Sequence, residues 1–136
     1  MKKSIGFSFV ALITLFMFFA CSSGGSSPTA TAKEYADYMQ ASEYDKILDL
    51  CAIDESLPKA EIKMGKLFIS NILSSLGDQY IKRKGGLKDT KILSETISED
   101  GKTATVKIEQ TYGNGESENT TLDMVLKKGK WKLKFL

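Results

Sequence analysis

The chain contains no histidine. That absence removes the commonest general base, the commonest metal ligand and the base of the usual Ser and Cys triads together. Cysteine is scarce: Cys21 and Cys51 are the two present, and neither sits in a pair with zinc-ligand spacing. An excess of one charge is missing as well. Nineteen Lys and Arg face seventeen Asp and Glu, and two of the cations, Lys2 and Lys3, stand in the leading segment. From Cys21 onward the two signs balance, so the net charge of +2 and the pI near 8.4 belong largely to the leader. A general nucleic-acid role therefore lacks its electrostatic basis. The longest uncharged, mostly apolar run, Ile5 to Ala20, falls short of the roughly twenty residues that a permanent membrane span needs.

What is present begins with that run. Lys2 and Lys3, the apolar stretch and the small residue Ala20 before Cys21 have the layout of a secretory signal. Ala20-Cys21 resembles the lipobox of bacterial lipoproteins, with Phe18 where Leu is favoured three residues before the cysteine. Residues 1–20 are then a signal peptide, and Cys21 is the lipidated first residue of the mature chain. Residues 21–28 form a Gly/Ser tether, and 29–136 a single domain. Two or more acyl chains hold a protein stably on a bilayer. The expected location is the bacterial cell envelope. No acidic residue follows Cys21 in Ser22 to Ser27, which favours an outer-membrane protein facing the periplasm over one exported to the surface.

Along the domain, helical periodicity gives way to strand alternation. Ser27-Pro28 is a cap and N1 pair for a first helix over Thr29 to Gln40, with Thr31 and Glu34 as a capping box one turn on. Ser42 caps a second helix from Glu43 to Cys51, where Tyr44, Ile47, Leu48 and Cys51 share a face. Pro58 opens a long third helix to Lys82, weakened at Gly77 and stopped by Gly85-Gly86. Strands follow over Lys88 to Ser98, Lys102 to Tyr112, Glu118 to Lys127 and Lys130 to Leu136, separated by Asp100-Gly101, Gly113-Asn114-Gly115 and Lys128-Gly129. Ala104, Val106, Ile108, Tyr112, Leu122, Met124, Leu126, Trp131, Leu133 and Phe135 alternate to the inward face. The layout is α+β: three N-terminal helices on a curved four-stranded antiparallel sheet, with one sheet face on the long helix and the other solvated.

Ala36-Asp37-Tyr38-Met39-Gln40-Ala41-Ser42-Glu43-Tyr44-Asp45-Lys46-Ile47 resembles the opening helical hairpin of small lipoproteins with a nuclear-transport-factor-2-like fold. Ile97 to Val106 and Lys128-Gly129-Lys130-Trp131-Lys132-Leu133 resemble that group's strand-turn-strand and closing strand. The family is domain of unknown function 4878, abundant in Bacteroidota. The resemblance implies a cone, a curved sheet wrapped round a long helix with an apolar hollow. It brings no catalytic residues and no cofactor.

The fold alone does not choose a function, since cones of this type host enzymes and binding modules alike. Three readings follow. The first is a non-catalytic lipoprotein that binds a small apolar ligand or a peptide at a mouth lined by Tyr35, Tyr38, Met39, Phe68, Tyr112 and Trp131, although such residues also commonly fill cores. The second is a structural module that homodimerises through its sheet. The third is an isomerase-like enzyme, which would need a tyrosine and a carboxylate facing an open cavity. Cys51, on an apolar helix face, is expected to be a buried, inert thiol. Lys82-Arg83-Lys84 could meet lipid phosphate or simply finish a helix.

Overall fold

The computed structural model describes residues 25–134. The expected signal peptide and the expected lipidation of Cys21 fall outside the described residues, as does the expected inward placement of Phe135. Helix α1 spans Pro28–Gln40, α2 Tyr44–Asp49 and α3 Lys59–Ile72. A π-helical turn, Leu73–Gly77, joins α3 to α4, Asp78–Arg83. Strands β1 (Leu87–Ile97), β2 (Thr103–Tyr112), β3 (Ser117–Lys127) and β4 (Lys130–Leu133) form one antiparallel sheet in sequential order.

The alternation of β2 sets the core. Ala104, Val106, Ile108 and Tyr112 are all buried, facing Leu122, Met124, Trp131 and Leu133. Burying a side chain the size of Ile108 or Val106 contributes about 1.5–3 kcal/mol. Register irregularities in β1, between Leu87 and Asp89 and between Ile92 and Ser94, have the geometry of bulges and bend this edge strand. Leu126, expected inward, is 36% exposed because it stands at the end of the sheet opposite Trp131.

The helix that covers the sheet is α1, not the long helix. Thr31, Ala32 and Ala36 are small and buried, and let α1 approach β1, β2 and β4 closely. Its start is tied down at several points. Ser27 Oγ accepts from the Ala30 N–H at 3.0 Å. Glu95 Oε1, reaching across from β1, accepts from the Thr29 N–H at 3.0 Å and its hydroxyl at 2.6 Å. Thr31 is not the cap expected of it: its hydroxyl donates to the Trp131 carbonyl at 2.8 Å, pinning α1 to β4. Ser42 likewise does not cap α2. It sits at φ 59° in the break between helices, Glu43 occupies the cap position, and α2 is one short segment.

Helix α3 departs most from expectation. None of its residues is fully buried. Its Ile62 and Ile69 face α2 across a groove, while Met64, Leu67 and Phe68 point to solvent at 72, 63 and 66% exposure. Gly77 marks an irregularity, as expected, but its form is the π turn rather than a break. Such a turn inserts one residue into the helical ladder. Leu73 then packs on the main core and Ile81 on a smaller cluster with Leu87 and Tyr112.

Candidate functional site

Helices α2 and α3 and the loop between them diverge around an open trough of about 360 Å³. Its walls are Leu48 and Cys51 from the first side, Ile53 and Leu57 from the loop, and Ile62, Gly65 and Ile69 from α3. Asp54, Glu61 and Lys66 stand at its rim. Gly65 gives the trough its width, because a Cβ placed there would meet nothing within 4 Å. The sequence explains the divergence. Asp54 holds the loop in an Asx turn, accepting from the Ser56 N–H at 3.0 Å and its hydroxyl at 2.6 Å. Pro58 then starts α3 afresh.

A second cavity, about 280 Å³, opens between Tyr35, Ile47, Leu73, Leu122 and Leu133. Leu48 and Cys51 line both spaces, so the two adjoin under the end of α2. Cys51 is held there by backbone pairing: Ala52 N–H donates to the Leu133 carbonyl at 2.7 Å, and Leu133 N–H to the Leu50 carbonyl at 2.7 Å. Lys66 and Lys132 brace the rim. The first pairs with Asp49 at 3.2 Å, and the second donates to the Asp49 carbonyl at 2.9 Å.

The six residues expected at one mouth do not converge. Tyr35 lines the second cavity, and burial pushes its hydroxyl pKa up. Tyr38 lies at the core margin with the Lys46 ammonium 5.8 Å above its ring. Met39 bridges the two apolar clusters. Trp131 and Tyr112 are buried at 7 and 4% exposure and fill space rather than line it. Phe68 is on the solvent side of α3. The trough residues Ile53, Leu57, Ile62, Gly65 and Ile69 were missed as site residues. A glycine in the middle of an apolar helix was the one signal that could have found them.

Tyrosine–carboxylate pairs do occur. Tyr112 donates to Glu118 Oε1 at 3.0 Å, and Tyr80 donates to Glu118 Oε2. The Lys84 ammonium reaches Glu116 at 2.7 Å and Glu118 at 3.1 Å, and lies 5.1 and 5.3 Å from the Tyr80 and Tyr112 ring centres. Burial, then the hydrogen bond to Glu118, pushes Tyr112 up to about 12. Hydrogen bonds from Tyr80 and Lys84 hold Glu118 below the usual carboxylate range. This cluster staples the end of α4 to the β2–β3 hairpin, and none of its members lines the trough or the second cavity. Lys82 is likewise engaged, pairing with Asp78 at 2.9 Å. Among the described residues no group of His, Cys, Asp and Glu could hold a metal, and no helix is long and apolar enough to cross a membrane.

Cys51 is half-buried rather than sealed, and burial raises its thiol pKa above the ordinary value. Only the thiolate is nucleophilic. Iodoacetamide at pH 8 should therefore alkylate Cys51 more slowly than free glutathione, with the rate climbing only as pH passes the ordinary thiol range. A rate equal to that of glutathione would show an activated thiol.

No protein family model matches the chain, and no curated protein matches it significantly. Solved structures do. One is a Campylobacter jejuni protein described as an NTF2-like transpeptidase: TM-score 0.67, 18% identity, 81% of this chain and 99% of that one covered. Another is a SEC-C motif containing protein from Rhodopseudomonas palustris: TM-score 0.54, 16% identity, 86% of this chain and 82% of that one covered. The likeness establishes the fold. The chain has the NTF2-like α+β cone architecture, helices first and a four-stranded antiparallel sheet after them.

Proposed function

We propose that this chain is a lipid-anchored envelope protein of the domain of unknown function 4878 type, and that it binds a small apolar ligand or an apolar peptide segment without catalysing a reaction. The observation that carries the reading is the trough between α2 and α3. It has the volume of small-molecule sites, which run from about 300 to 1,000 Å³, and its walls are almost wholly aliphatic. Water in such a space makes few hydrogen bonds, and an apolar occupant gains roughly 25 cal/mol for each Å² it removes from water. The charged lining residues Asp54, Glu61 and Lys66 could orient a polar end of the occupant. The Tyr112–Glu118 pair is occupied by Lys84, the Tyr44 hydroxyl donates to Asp78 at 3.1 Å, and neither pair lines the trough or the second cavity. The anchor would place the trough at the envelope, facing the periplasm.

Native mass spectrometry of the full chain, extracted from its host's envelope in mild detergent, tests this directly. The expected spectrum shows the acylated protein with a retained small molecule or peptide. A protein that is bare in every preparation would count against ligand binding, and one without acyl mass on Cys21 would count against the anchor.

A further inference from the structure

The solvent side of α3 carries exposed apolar side chains from its first half onward, through Ile72 to Leu76 in the π turn. Met64, Leu67 and Phe68 lie at i, i+3 and i+4 and form one exposed patch. Further along, Asn71 and then Ser74 and Ser75 of the π turn interrupt the apolar surface around Ile72 and Leu76, which are 40 and 65% exposed. On the sheet, β2 presents Thr103, Thr105, Lys107, Glu109 and Thr111 outward, and the exposed apolar residues Leu93 and Ile97 stand apart on the edge strand β1. An apolar cluster of this kind on a monomer marks a contact site.

The position of the patch says what covers it. The Trp131 N–H donates to the Gly25 carbonyl at 2.5 Å, so the described chain starts against β4. Two residues before Lys130, Lys128 pairs with Glu55 at 2.9 Å, just ahead of α3. Gly25 and the start of α3 therefore share one end of the described residues. Cys21 precedes Gly25 by four residues, a span of at most about 14 Å. That end also carries exposed lysines: Lys59 and Lys63 beside the patch, and Lys127 and Lys130 on the β3–β4 turn, against Asp54 and Glu61. An amphipathic helix with Phe, Leu and Met on one face and lysines flanking it is suited to lie in a bilayer interface, the more so with anionic lipid.

We infer that the first half of α3 is a second membrane contact, in which Met64, Leu67 and Phe68 enter the headgroup region of the anionic bilayer that holds Cys21. The inference rests on the lipid-anchor reading above. It would turn the trough, on the opposite side of α3, to a fixed angle above the lipid. The trough would then load from the periplasm or from the membrane edge.

Depth-dependent quenching tests it. The full-length chain carrying Phe68→Trp is reconstituted in phosphatidylethanolamine–phosphatidylglycerol vesicles with brominated acyl chains. The unsubstituted chain is the control, because its only tryptophan, Trp131, is buried. A helix lying about 5–10 Å into the headgroup–acyl boundary should lose about half of the added emission, with the control unchanged. Adding Lys59→Glu and Lys63→Glu should restore it. No quenching of Phe68→Trp on vesicles the protein floats with would overturn the inference, and a doubled mass by light scattering would then assign the patch to a second copy. Intact mass reports acylation of Cys21 separately. If acylation fails, quenching still decides the contact: its presence upholds docking without an anchor, and its absence ends both.

Discussion

Gly65→Phe yields a chain that folds normally and retains no ligand. Nothing lies within 4 Å of a Cβ at this position, and the position lines the trough, so the ring enters empty space instead of displacing protein. Replacing a glycine inside a helix also removes a cost of about 0.5–1 kcal/mol. The melting temperature should therefore hold or rise. Affinity for the retained ligand should fall by at least ~10-fold, about 1.4 kcal/mol. Gly65→Ala separates the two effects, gaining the helical stability while leaving most of the trough open. Isothermal titration with the ligand recovered from the native protein, alongside thermal melts, reads both quantities. Unchanged affinity in Gly65→Phe would move the site elsewhere.

The largest loss of stability is expected at the other end of the molecule, in Gly113→Ala. The Gly113 N–H donates to the Gly86 carbonyl at 2.8 Å, and the Asn114 N–H to the Lys84 carbonyl at 2.9 Å. The β2–β3 turn is thereby pressed against the chain leaving α4. A Cβ on Gly113 would run into the Gly85 carbonyl oxygen and lie 2.8 Å from its carbon. Both partners are backbone, and Gly85 is already at φ 88°, so neither yields cheaply. Forcing the turn away also loosens the Lys84–Glu118 staple. Overpacking of this kind costs about 1–3 kcal/mol. For a domain of this size each kcal/mol is worth roughly 4–8 °C, so the melting temperature should drop by about 4–24 °C. Gly77→Ala, where a Cβ meets nothing, is the matched control and should melt no lower than the parent. Equal melting of Gly113→Ala and the parent would show that this contact is not formed in solution.

The strands were legible because a period of two has one meaning in a half-buried sheet. Val106, Ile108, Met124 and Leu133 could only face a core, and the Gly-containing turns fixed where each strand ended. The helices were legible as helices but not as neighbours. The stripe on α3 reads alike whether sheet, ligand or lipid covers it. What decided the packing was residue size on α1, where Thr31, Ala32 and Ala36 permit close approach to the sheet. Ala32 of α1 packs with Trp131 and Ile81 of α4 packs with Tyr112, so these two inward-facing residues became core rather than mouth. The apolar trough was left beside α2 and α3, where the sequence shows mainly ordinary aliphatic residues and one mid-helix glycine. Thr31 and Ser42 misled for a related reason. A hydroxyl near a helix start suits a cap, but a long-range carbonyl, that of Trp131, and a left-handed turn claimed them instead.

The central claim is that apolar matter occupies the trough between α2 and α3. Methyl NMR of the full chain during titration with dodecanoate measures this at named atoms. The account predicts saturable shifts of the Ile62 and Ile69 δ1-methyls, with the core Ile108 methyl and the outer Met64 ε-methyl nearly still. Shifts confined to Met64, or none at all at saturating dodecanoate, would contradict it.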